Sequence, residues 1–151
     1  VDIKVSRMEL DRDEPSYTIN AARELRKLYG ANTPLVWIMG ADSYQNISSW
    51  KDWEQLTDYL HLAIANRTDQ KLQPGIAEEA VKNAFKNRIT TNVADLGNSP
   101  CGKVFFDNNF HVDLSSTHIR EGLHKNGLDK SLTDSISPKV LELINSSGIY
   151  Q

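Results

Sequence analysis

The sequence predicts an open α/β fold built on a parallel sheet. Three observations carry that expectation. Short apolar runs recur along the chain: PLVWIM at 34–39, HLAIAN at 61–66 and KVFFD at 103–107. Stretches with helical periodicity separate them, and strands alternating with helices imply parallel crossovers. The run at 34–39 is continuously apolar rather than alternating, which suits a strand covered on both faces, as in a parallel sheet.

The elements follow in order. At the start, Val1, Ile3 and Val5 alternate with Asp2, Lys4 and Ser6, a strand period over residues 1–10. DRDEPS is a polar loop. TINAARELRKLY, 18–29, places Ile19, Ala22, Leu25 and Leu28 three apart, an amphipathic helix with Thr18 as candidate N-cap and Gly30 as its stop. PLVWIM is the second strand and runs into GADSYQNISSWKDWEQL. Residues 50–59 read as helix and HLAIAN as the third strand. PGIAEEAVKNAFKN, 74–87, has Pro and two Glu near its start and Lys near its end, as the helix dipole favours. Residues 90–102 carry Asn, Gly, Ser and Pro and read as loop. KVFFD is the fourth strand. LSSTHIREGLHKNG and SPKVLELINSSG are two further helices. The last has Ser137 as N-cap, Pro138 at its first position and Gly148 just past its end.

Composition bounds the function. With 151 residues, 39% hydrophobic and 25% charged, the chain reads as one domain over 1–151. A formal net charge of -3 argues against a broad nucleic-acid surface but not against one local anion pocket. No run nears the ~20 apolar residues of a membrane span. The single cysteine, Cys101, can form no intrachain disulfide, which fits a reducing compartment and a cytoplasmic protein. His61, His111, His118 and His124 lack ligand spacing with acids or the cysteine, so no protein-built metal site is expected. The chain opens without Met and straight into a strand period, an expectation that it starts inside a larger protein.

In open α/β sheets ligands sit beyond the carboxyl ends of the strands. That puts GADS, after the second strand, and SST, after the fourth, at one edge. In SSTHIR, a helix start offers unsatisfied N–H donors and a partial positive charge. Ser116 and Thr117 add hydroxyls, and Arg120 adds a forked guanidinium suited to phosphate. The plainer alternative is a helix capped by Ser115 with Arg120 in solvent. Gly40 permits either a close ligand approach or an unusual φ, and Asp42 could accept from a ribose hydroxyl; the alternative is a turn with Asp42 as cap. Trp50 and Trp53, three apart, could stack on a planar heterocycle or sit in the core. Tyr17 and Thr18, in PSYT, mark a helix start.

Taken together, ELDRDEPSYTINAARELR, PLVWIMGADSYQNISSWKDWEQL, LSSTHIREGL and PKVLELINSSGIY resemble, in order and spacing, the bacterial nicotinate mononucleotide adenylyltransferases of NAD biosynthesis. Leu114 stands where that family's ISSTxIR motif has Ile. The resemblance implies a Rossmann-like nucleotidyltransferase fold. It implies transfer of AMP from ATP to nicotinate mononucleotide, giving deamido-NAD and pyrophosphate, with magnesium. By the match, Ser116, Thr117 and Arg120 hold ATP phosphates, with Arg120 the catalytic residue. Gly40 and Asp42 meet the adenosine or the nucleotide sugar. Trp50 stacks on the nicotinate ring, with Tyr17 and Thr18 beside it. Arg67 matches a family Arg, although Thr68 replaces the Pro that follows it. The family's first strand and its GGTFDPxHxGH phosphate loop have no counterpart here, so the fold is expected to be N-terminally incomplete. On that expectation the chain alone is weakly active or inactive, or a non-catalytic nucleotide-binding module, and it self-associates through exposed sheet edges.

Overall fold

The computed structural model of the protein describes residues 3–13, 15–65, 77–108, 119–121 and 136–148. The chain divides into two compact units, Val1–His111 and Val112–Gln151.

The first unit holds the sheet. Helix α1, Thr18–Tyr29, buries Ile19, Ala21 and Ala22 and ends at Gly30. Gly30 takes φ +82°, a left-handed value glycine adopts without a Cβ penalty, and its N–H donates to the Arg26 carbonyl at 3.0 Å. Strand β1, Val36–Gly40, leads into the short α2, Ala41–Gln45. A 3-10 turn over Trp53–Gln55 continues into α3, Leu56–Tyr59, and then β2, His61–Ala65. Helix α4 is Glu79–Phe85. Strands β3, Ile89–Thr90, and β4, Val104–Asp107, complete a four-stranded sheet.

Every pairing is parallel, in the order β1-β2-β4-β3. The register sets Gly40 beside Ala65 and Ala65 beside Asp107. The carboxyl ends of β1, β2 and β4 therefore share one edge. Side chains alternate across the pleat. On one face Met39, Leu62, Ile64, Val104 and Phe106 join Ile19, Tyr44, Ile47, Leu56, Val81 and Phe85 in a single buried cluster. On the other, Val36, Ile38, Ala63 and Phe105 line an apolar cleft of about 530 Å³ with Val93 and Leu96. Ile38 is 74% exposed, so among the described residues β1 is covered on one face, not on both.

Several boundaries depart from the sequence expectations. Residues 3–7 form no strand, and Ile3 and Val5 are 86% and 91% exposed. Alternation marks a segment able to pair, but a strand exists only where a neighbour supplies the hydrogen-bond ladder. Instead, Arg7 to Asp11 closes a turn: the Asp11 N–H donates to the Arg7 carbonyl, and the Arg7 guanidinium donates to the Asp11 carboxylate at 2.8 Å. Thr18 is the first helical residue and Tyr17 is the N-cap, with no side-chain capping bond. The helix expected over 50–59 begins only at Trp53, because Asp52 adopts a left-handed φ of +50°. The expected loop at 90–102 contains a 3-10 turn, Val93–Gly97, whose Ala94 N–H donates to the Asn92 side chain at 3.1 Å.

In the second unit, residues 119–121 are helical, and α5 spans Pro138–Ser147 as the sequence predicts. Ser137 is its N-cap, Pro138 lies in its first turn, and Gly148 ends it at φ +62°.

Candidate nucleotide site

Tyr17 and Thr18 come from the start of α1, and Trp50 from the turn that follows α2. The fold brings these three into one pocket of about 290 Å³, lined also by Ser16, Ser49 and Lys51. Trp50 is half-buried and packs against the core cluster on its inner side. The Lys51 ammonium lies 4.8 Å from the centroid of the Tyr17 ring, a cation–π distance. Ser16 donates its hydroxyl to the Glu9 carboxylate, and Ser49 donates to the Asn46 carbonyl at 2.7 Å. Among the described residues, the pocket thus combines two aromatic surfaces, several hydroxyls and one cation.

The left-handed Asp52 is what separates the two tryptophans. Its carboxylate accepts from Arg23 at 3.4 Å, and Arg23 also donates to the Gln55 side chain at 2.8 Å. The Arg23 guanidinium lies 5.7 Å from the Tyr59 ring centroid. With the chain turned at this point, Trp53 packs edge-to-face on Phe85, centroids 5.6 Å apart. Trp50 stays with Tyr17 in the pocket.

Gly40 and Asp42 stand where the topology predicts, at the carboxyl edge of the sheet. Gly40 has φ -76° and ψ 162°, an extended conformation open to any residue. That removes the unusual-φ reason for glycine here. Asp42 is exposed in the first turn of α2 and is not its cap; the N-cap position belongs to Gly40. Asp107, at the end of β4, shares the edge.

Tyr44 anchors α2 behind Asp42. It is wholly buried and meets Phe106 edge-to-face at 5.2 Å. Its hydroxyl has no hydrogen-bond partner among the described residues. Burial pushes the phenol up to about 12, because the phenolate would have to be desolvated.

Arg120 lies on the helical residues 119–121 of the second unit and is exposed. Arg67, Ser116 and Thr117 lie outside the described residues. Sequence reasoning missed Lys51. On the helix expected at 50–59, neighbours in sequence diverge around the axis, so Lys51 would point away from Trp50's partners. The observed turn removes that constraint and lets both line one pocket. Among the described residues, no cluster of three or more His, Cys, Asp or Glu side chains could hold a metal ion, and no helix is long and apolar enough to cross a membrane.

A parallel α/β sheet whose strands end along one edge, with a polar-aromatic pocket in the same unit, is an open α/β domain of the kind that takes ligands beyond its strand ends. The chain belongs to the cytidylyltransferase-like family, whose profile matches residues 3–122. It is 33% identical over 147 residues to a probable nicotinate-nucleotide adenylyltransferase of Pseudoalteromonas atlantica, covering 97% of this chain and 64% of that protein. It is 33% identical over 143 residues to a probable nicotinate-nucleotide adenylyltransferase of Escherichia coli O139:H28, covering 95% and 65%. The chain thus spans a little under two thirds of the curated relatives it matches. Among solved structures, the Plasmodium falciparum nicotinic acid mononucleotide adenylyltransferase complexed with APC aligns with a TM-score of 0.59 at 17% identity, over 91% of this chain and 60% of that one. The fold is therefore the Rossmann-like α/β fold of nucleotidyltransferases.

Proposed function

We propose that this chain carries the mononucleotide-binding part of a nicotinate-nucleotide adenylyltransferase, which transfers AMP from ATP to nicotinate mononucleotide. The carrying observation is the pocket itself. Tyr17 and Thr18 converge in it with Trp50, which is distant in sequence, on a chain whose relatives bear that enzyme's name.

In this reading the pyridine ring of nicotinate mononucleotide lies on the Trp50 indole, a flat surface suited to a pyridinium. Tyr17 and Thr18 flank the ring. Asp42, at the sheet edge, accepts from a sugar hydroxyl, and the Gly40 backbone leaves room for the nucleotide to approach. The mononucleotide's phosphate oxygen attacks the α-phosphorus of ATP. The new P–O bond forms as the bond to the bridging oxygen of pyrophosphate breaks, and pyrophosphate leaves with the electron pair. No protein nucleophile is needed, so the work is alignment and charge neutralisation. Ser116, Thr117 and Arg120 take the ATP phosphates, with Arg120 stabilising charge as it develops. Arg67 supports the mononucleotide.

Magnesium accompanies ATP in this reading. An ion held mostly by phosphate oxygens would need no protein cage and, when bound, would supply further neutralisation of phosphate charge.

The test is calorimetric titration of the chain with nicotinate mononucleotide. Saturable binding that Trp50→Ala abolishes, with the circular dichroism spectrum unchanged, is the expected result. A folded chain that binds no mononucleotide would contradict the assignment.

A further inference from the structure

We infer that the outward face of α1 carries an anion groove of its own, in which Arg12, Arg23 and Lys27 take a diphosphate-type oxyanion. The inference is independent of the mononucleotide reading, because the groove shares no lining residue with that pocket.

Asn20, Arg23, Glu24 and Lys27 fall at positions i, i+3, i+4 and i+7 of α1, so one helical face presents all four. Arg12 reaches that face from the segment before the helix and completes a groove of about 430 Å³. Three cations stand there against the carboxylate of Glu24, in a chain whose formal net charge is -3. The excess is local, not a property of the whole surface. Arg12 sets this face apart from an ordinary solvated helix. Its side chain is only 18% exposed. One terminal nitrogen donates to Glu24, and the other is buried with no partner among the described residues. A guanidinium held largely out of water with so few acceptors is under-neutralised. Its charge is spread over the whole fork and weakly screened at that depth, so it acts on the groove without leaving its seat.

The other donors are placed and available. Arg23 is steadied by Gln55 at 2.8 Å, by Asp52 at 3.4 Å and by the Tyr59 ring. Both hydrogen bonds fall on Nη2, so its five-donor fork is not exhausted. Lys27 is exposed, and its ammonium makes no hydrogen bond or ion pair among the described residues. The Asn20 carboxamide is likewise uncommitted. These groups are spread along the helix rather than focused on one point: Arg23 and Lys27 stand about 6 Å apart along the axis. Two linked phosphoryl groups match that spread, one on the arginine fork and one on the lysine point charge. Free pyrophosphate and the diphosphate of a nucleotide share this chemistry.

The experiment follows amide NMR shifts of the nitrogen-labelled chain during titration with pyrophosphate, inorganic phosphate and ADP at constant ionic strength. It is run in wild type and in Arg120→Gln, which removes the ATP-phosphate contact proposed above. In both, pyrophosphate should give saturable shifts at Asn20, Arg23 and Lys27, including the Asn20 side-chain amide, and should bind more tightly than inorganic phosphate. Lys27→Gln should weaken that binding by about fivefold, the order of one charge-assisted contact in an open groove. Lys27→Glu should abolish it, and both substitutions are exposed enough to leave the fold intact. Lys86→Gln, at an exposed lysine just after α4, should change nothing. ADP tighter than pyrophosphate assigns the groove to a nucleotide's diphosphate; pyrophosphate equal or tighter assigns it to the free anion. Shifts at α1 that fail to saturate, survive Lys27→Glu or fall equally in Lys86→Gln would overturn the proposal. So would inorganic phosphate binding as tightly as pyrophosphate. Affinity for nicotinate mononucleotide should stay within about twofold in Lys27→Glu, since no partner is shared, so either reading can fail without the other.

Discussion

The Arg26 guanidinium donates a 2.7 Å hydrogen bond to the Pro100 carbonyl, tying α1 to the loop before β4, 74 residues further along the chain. The same side chain donates to the carbonyls of Gly30 and Thr33 at 2.9 and 2.6 Å and to that of Tyr59 at 2.9 Å. One planar fork thus satisfies four backbone acceptors from three separate segments. Its replacement strands them together. Arg26→Met is expected to lower unfolding free energy by about 2–4 kcal/mol. Arg26→Lys should recover less than half of that, because a point charge cannot reproduce the fork. Urea midpoints of the three proteins decide it; equal midpoints for Arg26→Lys and wild type would show that charge alone suffices.

His61 makes a similar tie at the start of β2. It is wholly buried, and its Nδ1 accepts the Lys103 N–H at 3.0 Å while Nε2 faces the Ser99 carbonyl at 2.8 Å. A carbonyl can only accept, so Nε2 carries the hydrogen and the ring is the neutral Nε2–H tautomer. His61→Phe keeps the volume but leaves the part-buried Lys103 N–H and Ser99 carbonyl unmatched. The expected loss is about 2–4 kcal/mol by denaturant unfolding. Nitrogen chemical shifts of the wild-type ring test the tautomer independently.

Tyr44 gives the chain an alkaline limit. Its phenol is raised to about 12 in the folded protein against 10.0 when unperturbed. The folded state therefore holds a proton that the unfolded chain gives up first. Stability from this group is fully present below pH ~10 and falls as pH rises toward ~12, by about 2–3 kcal/mol across the window. Tyr44→Phe removes both the titration and the unpartnered hydroxyl. It should be as stable as wild type or more so at neutral pH, by up to about 1 kcal/mol. It should also lose less stability than wild type between pH 10 and 12. Parallel alkaline curves for the two proteins would place the sensitivity elsewhere.

How much of this was legible in the sequence depended on whether an element's signal was local. The continuous apolar run of β1, the stripe of α1 and the Ser137–Pro138…Gly148 frame of α5 all act within a few residues, and each formed where read. The carboxyl-edge placement of Gly40 and Asp42 followed from topology alone. The expected strand at residues 1–10 does not form over its described residues 3–10, because pairing requires a distant partner, which periodicity cannot supply. The two-residue β3 carries too short a pattern to detect. Lys51 was hidden by one dihedral: nothing local marks Asp52 as left-handed, since the Arg23 and Gln55 contacts that accompany that turn come from elsewhere in the fold. Leu28 shares the apolar stripe of α1 yet is 71% exposed, because the buried stripe is narrower than the row of apolar residues.

The same dihedral divides the labour of the two tryptophans, which their spacing could not do. Trp53 meets Phe85 edge-to-face at 87°, against the core, while Trp50 shares its pocket with Tyr17, Thr18 and Lys51. Trp53→Leu is therefore expected to destabilise the fold by about 1–3 kcal/mol through lost area and a lost aromatic pair. Its affinity for nicotinate mononucleotide should stay within about twofold of wild type, since additivity holds when no partner is shared. Trp50→Leu should show the opposite balance, a small change in stability and a large loss of affinity. The turn itself can be tested with Asp52→Gly, which keeps left-handed backbone accessible but drops the Arg23 contact. That variant should bind nearly normally, whereas Asp52→Val, strained at positive φ, should weaken binding by shifting Trp50 relative to Tyr17. If both substitutions at 52 leave affinity untouched, the turn does not set the pocket, and Trp50 must be held by its core contacts alone.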